Sequence, residues 1–465
     1  MEIAVKKGGG EHMGMEIDTC LVLDTYMYLN CQRIDDGEIL EDILSTLLTD
    51  PDYGGGGKYY PEYHILEQAV EADPSLGQLR IGNQSHIMGY DTGTNACTFT
   101  TPDGDTTYIA FRGTSDGEWL DNGIGMTQTS TIQQERAVEY FDQVVENNQF
   151  TESQNLILTG HSKGGNKVQF ITMDSEHAGL IDTCYAVDGQ GFSELAIEKW
   201  QSQYSSEEYQ QRIDKIYGIN GENDYISVLG HSIIRQDHIS YMATEVKPGD
   251  FAGYHDIKYL FATVKENADG TSMMNWQGKM TGYVTKRGEL GDYTATLSAQ
   301  IMALPVEQRA GAAAVLMQMM ELGGEKKTGL NGERISYKDV TEFVQYGIPS
   351  ILGSLLFTKN GRDLLSNYLS GGRQYAVYQV KPLLLGVQSE ELTKIGHRLE
   401  NLSGEVEEIR IQMNHFMKGR WILNYRLSKE KGDVEKEAKK LLQFGNLLQQ
   451  ILCLYQEAEY KVLQC

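Results

Sequence analysis

The stretch LILTGHSKGGNKVQFITM, residues 156–173, decides how this sequence folds. Its first three residues form a short apolar run that is typical of a buried strand, and NKVQFITM is typical of a helix. Between them, GHSKG at 160–164 matches the pattern G-x-S-x-G. Glycine permits the tight turn that this pattern needs, because a side chain there would collide with neighbouring backbone. The stretch therefore predicts that Ser162 is a nucleophile on a strand-to-helix turn.

A nucleophilic serine needs hydrogen-bond donors for the oxyanion that forms on its substrate. The first turn of a helix leaves backbone N–H groups free, so the backbone N–H of Lys163 is one candidate. A second donor is expected from an earlier strand-to-helix loop, and YIAFRGTSDGEWLDN at 108–122 contains one. In that loop Thr114 offers both its backbone N–H and its hydroxyl.

The acid is expected after the serine, just beyond a strand. Asp224 lies in GENDYISVLG, directly after the predicted strand at 215–220, and is the favoured acid. Asp188, in YAVDGQGF, also ends a strand and is the alternative. Its place one strand after the serine is more typical of a residue that shapes the floor of the site.

The base is expected later still. His255, in FAGYHDIKYLF, lies beyond the predicted strand at 238–246 and is the favoured base. His231 and His238 also follow the acid and remain alternatives. His161 stands beside the serine, and we expect it to pack beneath the turn.

Strands alternate with helices through the first 265 residues or so. A hairpin is predicted at 95–114 with its turn at 102–104, and the helices at 131–149 and 163–175 flank the strand at 156–158. Such alternation favours an α/β fold with a mostly parallel sheet covered on both faces. We expect this domain to span residues 15–268, after a flexible N-terminus at 1–14.

The rest of the chain reads as all-helical. Residues 269–380 are predicted to form a helical region that serves as a lid or connector. Residues 381–465 are predicted to form an antiparallel hairpin with a turn at 432–433, suited to binding small helical partner proteins through residues 387–465. Its first apolar series keeps heptad spacing through Leu392, Ile395, Leu399, Leu402, Val406, Ile409, Met413 and Phe416.

Composition limits the partners. A net charge of -25 disfavours nucleic acid, since phosphates would be repelled. There is no apolar run of about 18 residues, so no transmembrane segment is expected, and the first residues lack the apolar core of a signal peptide. The six cysteines are scattered without metal-type spacing, and we expect neither metal nor cofactor.

Four of these motifs together resemble a known family. FRGTSDGEWLDN, LILTGHSKGGNKV, YAVDGQGF and GENDYISVLG occur in the order of the class 3 lipase pattern, and GHSKGGN is similar to the bacterial Mbeg-like family. The resemblance covers roughly residues 15–265 and implies an α/β-hydrolase fold and hydrolysis of lipid or other carboxylic esters. It marks Ser162 as nucleophile, Asp224 as acid, and Thr114 with the Lys163 backbone as oxyanion donors.

The C-terminal hairpin resembles the helical modules of type VII secretion substrates of the WXG/LXG kind. That resemblance implies export without a signal peptide, and a cytoplasmic location is the alternative. The sequence thus predicts a lipase or phospholipase with a targeting or partner-binding C-terminus. The alternative is a catalytically inactive hydrolase fold whose helices carry the function.

Overall fold

The computed structural model describes residues 10–29, 34–90, 93–114, 118–151, 153–246, 252–266 and 272–303, together with Arg309, Ala313 and Met317. The described residues up to Ala299 lie in one compact unit. The helices are α1 (Gly10–Tyr26), α2 (Leu40–Leu47), α3 (Tyr60–Ala72), α4 (Pro74–Gly77), α5 (Trp119–Gly125), α6 (Ile132–Asn148), α7 (Lys163–Asp174), α8 (Glu194–Gln203), α9 (Ser206–Ile213) and α10 (Glu289–Met302). The strands are β1 (Arg80–Gly82), β2 (Ala96–Thr100), β3 (Thr106–Phe111), β4 (Asn155–His161), β5 (Thr183–Val187), β6 (Ile216–Gly221), β7 (Ile239–Met242), β8 (Ala262–Glu266), β9 (Ser272–Trp276) and β10 (Tyr283–Val284).

The main sheet is mostly parallel. Within the described residues it has eight strands in the order β1-β2-β3-β4-β5-β6-β7-β10. The five strands from β3 to β7 run parallel to one another, and antiparallel pairs close both ends. The α/β architecture predicted from the sequence is therefore confirmed.

Helices cover the two faces of the sheet from different parts of the chain. The helices that connect the parallel strands, α6 to α9, pack on one face, while α1, α2 and α3 pack on the other. Strand side chains alternate between the faces. In β3, Ile109 and Phe111 pack on the face covered by α6 to α9, and Tyr108 and Ala110 pack on the face covered by α1 to α3. Burial of both faces explains the continuous apolar runs of the central strands.

The predicted elements around the serine form as expected. β4 ends at His161 and α7 begins at Lys163, so that Ser162 alone forms the turn. The predicted hairpin at 95–114 is also confirmed, as the antiparallel pair β2 and β3. Since β3 lies next to β4 in the sheet, the loop after β3 opens at the same edge as Ser162.

Several strands were missed by the sequence analysis. Residues 269–380 read as helical, yet β9 and β10 lie within them, and β10 is the last strand of the main sheet. β10 has only two residues and β1 only three, too short for a period-two pattern to show. The last strand therefore comes from beyond residue 268, the expected end of the domain.

The predicted hairpin at 381–465 lies outside the described residues, as do residues 1–9 of the N-terminal segment 1–14. The prediction that this segment is flexible is wrong for its last five residues, which belong to α1. Among the described helices, none combines the length and the apolar character needed to cross a membrane.

Candidate active site

Ser162 has a strained backbone that only the surrounding packing can maintain. Its φ of 60° and ψ of -121° lie in a region that residues with a side chain rarely adopt. The glycines permit the turn: a Cβ on Gly164 would lie 2.0 Å from the Phe111 carbonyl oxygen, and a Cβ on Gly160 would lie 2.4 Å from the Gly164 carbonyl carbon. Strain at a single serine between β4 and α7 is typical of a nucleophile that must project from its loop.

Three predicted residues from separate loops meet in one hydrogen-bonded chain. His255 Nε2 lies 2.7 Å from Ser162 Oγ, and His255 Nδ1 lies 2.6 Å from Asp224 Oδ1. Ser162 is 3% exposed, His255 8% and Asp224 1%. A buried serine, imidazole and carboxylate in this order have the geometry that activates a hydroxyl for nucleophilic attack.

The carboxylate of Asp224 is held by donors on all sides. Its Oδ2 accepts hydrogen bonds from the backbone N–H of Ile226 at 3.1 Å and of Ser227 at 2.6 Å. Its Oδ1 faces His255, so the ring is oriented with its Nδ1–H toward the acid and its Nε2 toward the serine. Two backbone donors on one oxygen fix the carboxylate before any substrate binds.

The predicted oxyanion residue Thr114 lies in the loop that follows β3. The backbone of Gly113 lies against the serine, since a Cβ there would stand 3.0 Å from Ser162 Cβ. The Thr114 hydroxyl accepts a hydrogen bond from Asn122 Nδ2 at 2.9 Å, which leaves its own proton free to donate elsewhere. Gln190 Nε2 in turn donates to the Asn122 backbone carbonyl at 2.8 Å.

Lys163 contributes its side chain to the structure as well as its backbone. The ammonium group is buried and forms an ion pair with Asp121 at 2.6 Å. Asp121 Oδ2 also accepts from Thr131 Oγ1 at 2.7 Å, at the start of α6. The pair therefore ties α5 and α6 to the serine turn, while the backbone N–H of Lys163 stays at the first position of α7.

The alternative acid, Asp188, lies in the same buried region but bonds to different groups. Its Oδ1 accepts from the Gly221 backbone N–H at 2.7 Å. Burial, and then the negative charge of Asp224, raise the pKa of Asp188 well above its usual value. A raised pKa makes a carboxyl less able to stabilise an imidazolium, and Asp224 is the acid bonded to His255 Nδ1, so Asp224 is favoured over Asp188.

The alternative bases lie elsewhere. His238 stacks on Tyr217 with ring centroids 4.2 Å apart, and its Nδ1 lies 3.1 Å from the Ile216 carbonyl oxygen. His231 pairs through its backbone with Phe192. His255 itself lies at the end of a 3₁₀ turn, Ala252–His255.

His161 packs beside His255, as the sequence analysis expected of a residue beneath the turn. The two imidazole rings stack with centroids 4.9 Å apart. Together with Asp188 they form the group of described residues whose metal-ligating atoms all lie within 4.8 Å of one another. Both nitrogens of His255 are already hydrogen-bonded, so a metal ion would have to displace Ser162 or Asp224.

Sequence reasoning missed the residues that support this site. Asn122 and Asp121 were quoted within a motif but given no role, although they are polar residues in the segment that follows the buried strand β3. Tyr28, which contacts His161, lies two residues beyond the end of α1 and gave no signal at all. Its partner is 133 residues away in the chain, so only the fold brings the two together.

The fold and the site define the class of this protein. A mostly parallel α/β sheet with a serine on a strained strand-to-helix turn is hydrolase-like. Residues 72–240 match the model of the Mbeg1-like family, which confirms the predicted Mbeg-like resemblance over that segment. The match includes Thr114, Ser162 and Asp224 and is consistent with a lipase-like hydrolase. A search of curated proteins found no match to this chain.

Proposed function

We propose that this chain is a serine hydrolase of carboxylic esters, and more narrowly a lipase or phospholipase. The observation that carries the proposal is the buried hydrogen-bonded chain from Ser162 through His255 to Asp224. It lies on the strained turn that presents a serine to substrate. The match to the Mbeg1-like family supports the lipase-like assignment.

In the proposed reaction, Ser162 Oγ attacks the carbonyl carbon of the ester while His255 Nε2 accepts the hydroxyl proton. The carbonyl π electrons move onto oxygen and form a tetrahedral oxyanion. Asp224 stabilises the imidazolium through Nδ1–H at 2.6 Å. Collapse of the intermediate expels the alcohol, which takes the proton from His255 and leaves an acyl-enzyme.

The oxyanion is proposed to bind between Thr114 and the backbone N–H of Lys163. Asn122 already donates to the Thr114 hydroxyl, so that hydroxyl can donate its own proton to the oxyanion. One such donor contributes roughly 3 kcal/mol to transition-state stabilisation in serine hydrolases. Water activated by His255 then attacks the acyl-enzyme, and the carboxylic acid leaves with Ser162 restored.

A fluorophosphonate probe tests this proposal directly, because it labels an activated serine without any knowledge of the substrate. We expect labelling of the native protein, and none above the heat-denatured background in Ser162→Ala. Ser227→Ala is a matched control, since Ser227 meets Asp224 through its backbone N–H and should label like wild type. Equal labelling of wild type and Ser162→Ala would favour an inactive hydrolase fold.

Substrate class is tested separately on p-nitrophenyl esters of different acyl length and on phospholipid vesicles. We expect hydrolysis in wild type that disappears in Ser162→Ala. Hydrolysis of short esters without any action on lipids would remove the lipase assignment but leave the serine hydrolase in place.

The proposal for residues 381–465 is a targeting or partner-binding hairpin, with type VII-like export. It rests on the heptad series and on the family resemblance of these helices. Deletion of residues 387–465 should abolish export from cells that carry such a system. Unchanged export of the shortened chain would exclude the targeting role.

A further inference from the structure

A second hydrogen-bonded pair lies directly against the base. The Tyr28 hydroxyl is 2.6 Å from His161 Nδ1, and the His161 ring stacks on His255 with an angle of 29° between planes. Tyr28 also packs edge-on against the His161 ring, with centroids 5.5 Å apart. The His255 ring is thus supported on one face by a ring that is itself held in place.

We propose that Tyr28 and His161 are positioning residues for His255. This proposal rests on the proposed serine hydrolase function. Tyr28 fixes the His161 imidazole, and that imidazole supports the plane of His255 so that both its nitrogens stay aligned between Ser162 and Asp224. Neither residue touches the reacting atoms. They act by restricting rotation of the base.

The hydrogen bond from Tyr28 has a defined direction. Burial raises the pKa of the Tyr28 phenol above its ordinary value, so the phenol keeps its proton and can donate it. The backbone of Gly113 hydrogen-bonds the same phenol oxygen. The protonated phenol can donate to His161 Nδ1 when that nitrogen carries no proton, and the bond to Gly113 links the loop that carries Thr114 to the same support.

The supporting ring must be uncharged to do this work. His255 becomes a cation during the proposed reaction, and a second cation stacked 4.9 Å away would oppose it. Burial, and then the charge of His255, lower the pKa of His161 well below its usual value, so this ring stays neutral. The titratable and charged groups that face the pair are Asp24, Arg112, Asp188, Asp256 and His255.

The experiment compares His161→Phe, His161→Ala and Tyr28→Phe with wild type in the full chain. Phenylalanine keeps a flat neutral ring against His255, whereas alanine removes it. We expect kcat to fall by about 10- to 100-fold in His161→Ala with KM within about twofold, because small misplacements of a reacting group cost up to about 10²-fold. His161→Phe keeps the ring but loses the hydrogen bond with Tyr28, so its kcat should fall by about threefold to tenfold, less than in His161→Ala, and its pH profile should keep the same acid limb.

Tyr28→Phe removes one oxygen and decides the outcome if His161→Ala does not fold. We expect its kcat to fall about threefold to tenfold with KM unchanged. The low-field NMR signal of the His255 Nδ1–H should broaden in His161→Ala and persist in His161→Phe, a readout that needs no turnover.

The proposal is overturned if Tyr28→Phe and His161→Ala both keep kcat within twofold, or if His161→Phe is as impaired as His161→Ala. Failure of the proposed function looks different. In that case wild type and Ser162→Ala are equally unreactive, and the NMR signal still reports whether His161 orders His255.

Discussion

Replacement of Asp224 by asparagine is the most informative single change at this site. The partners of the carboxylate among the described residues are donors: His255 Nδ1–H on Oδ1, and the backbone N–H groups of Ile226 and Ser227 on Oδ2. Asparagine has one oxygen and one NH₂, so it cannot accept on both sides. Its oxygen should turn to the two backbone donors, and its NH₂ should then donate to His255.

This reversal should disable the base without disturbing the fold. A donor facing Nδ1 forces the His255 proton onto Nε2, the nitrogen that lies 2.7 Å from Ser162 Oγ. The ring then cannot accept the serine proton. In known serine hydrolases with a Ser-His-Asp triad, the wrong tautomer costs about 10⁴-fold in kcat, which corresponds to about 5 kcal/mol of transition-state stabilisation.

The assay is the rate of fluorophosphonate labelling together with kcat and KM on an ester. Asp188→Asn serves as the matched control. Burial and Asp224 raise the pKa of Asp188, which favours the neutral form that asparagine mimics, and an asparagine oxygen can still accept from Gly221 N–H. We therefore expect Asp188→Asn to stay within about threefold of wild type.

A loss of less than tenfold in Asp224→Asn would refute the assignment of Asp224 as the acid. A larger loss in Asp188→Asn than in Asp224→Asn would transfer the role to Asp188. Circular dichroism and thermal unfolding of both variants would show whether a loss of activity reflects a loss of fold.

Three further changes test other parts of the structure. Asn122→Asp keeps the shape of the side chain but makes it an acceptor, so it should accept a hydrogen bond from the Thr114 hydroxyl and draw that proton away from the oxyanion. In ester kinetics its kcat should fall by about 10²-fold and lie well below that of Asn122→Ala. Asp24 is fully buried and burial raises its pKa, so the folded state binds a proton that the unfolded state releases, and stability falls as pH rises above about 4. Asp24→Asn lacks this dependence and should gain stability relative to wild type as the pH rises above about 4, by at most about 1.4 kcal/mol per pH unit, in urea unfolding. Gly164→Ala would place a Cβ 2.0 Å from the Phe111 carbonyl oxygen, so it should lower the melting temperature and abolish labelling.

Each of these has a result that would count against it. Equal activity in Asn122→Asp and Asn122→Ala would show that the direction of that hydrogen bond is unimportant. A constant stability difference across pH would show that Asp24 titrates normally. A fully active Gly164→Ala would mean that the turn can open where the structure shows close contact.

The local chemistry of this protein was readable from its sequence. GHSKG between an apolar run and a helical segment predicted the turn at Ser162, because that geometry depends on residues adjacent in the chain. The order of the strands and of the polar residues that follow them predicted Asp224 as acid and His255 as base, since residues that follow parallel strands lie at the same edge of the sheet. The alternatives Asp188, His231 and His238 could not be separated by order alone.

The separation came from tertiary contacts. Two carboxyls end neighbouring strands, and their hydrogen bonds distinguish them. Asp224 bonds to His255, whereas Asp188 accepts from the Gly221 backbone N–H and has a raised pKa. The short strands β1 and β10 were invisible because two or three residues carry no pattern, and their pairing depends on the rest of the sheet.

The sequence by itself determined that an α/β sheet would present Ser162 on a tight turn, because hydrophobic periodicity and glycine sterics are local properties. Only the tertiary structure decided what stands around that serine. Tyr28 is hydrogen-bonded to His161, which lies 133 residues further along the chain, and the buried Lys163 ammonium forms an ion pair with Asp121 on another helix. Such contacts depend on how helices pack on the sheet, and chain spacing carries no record of that packing.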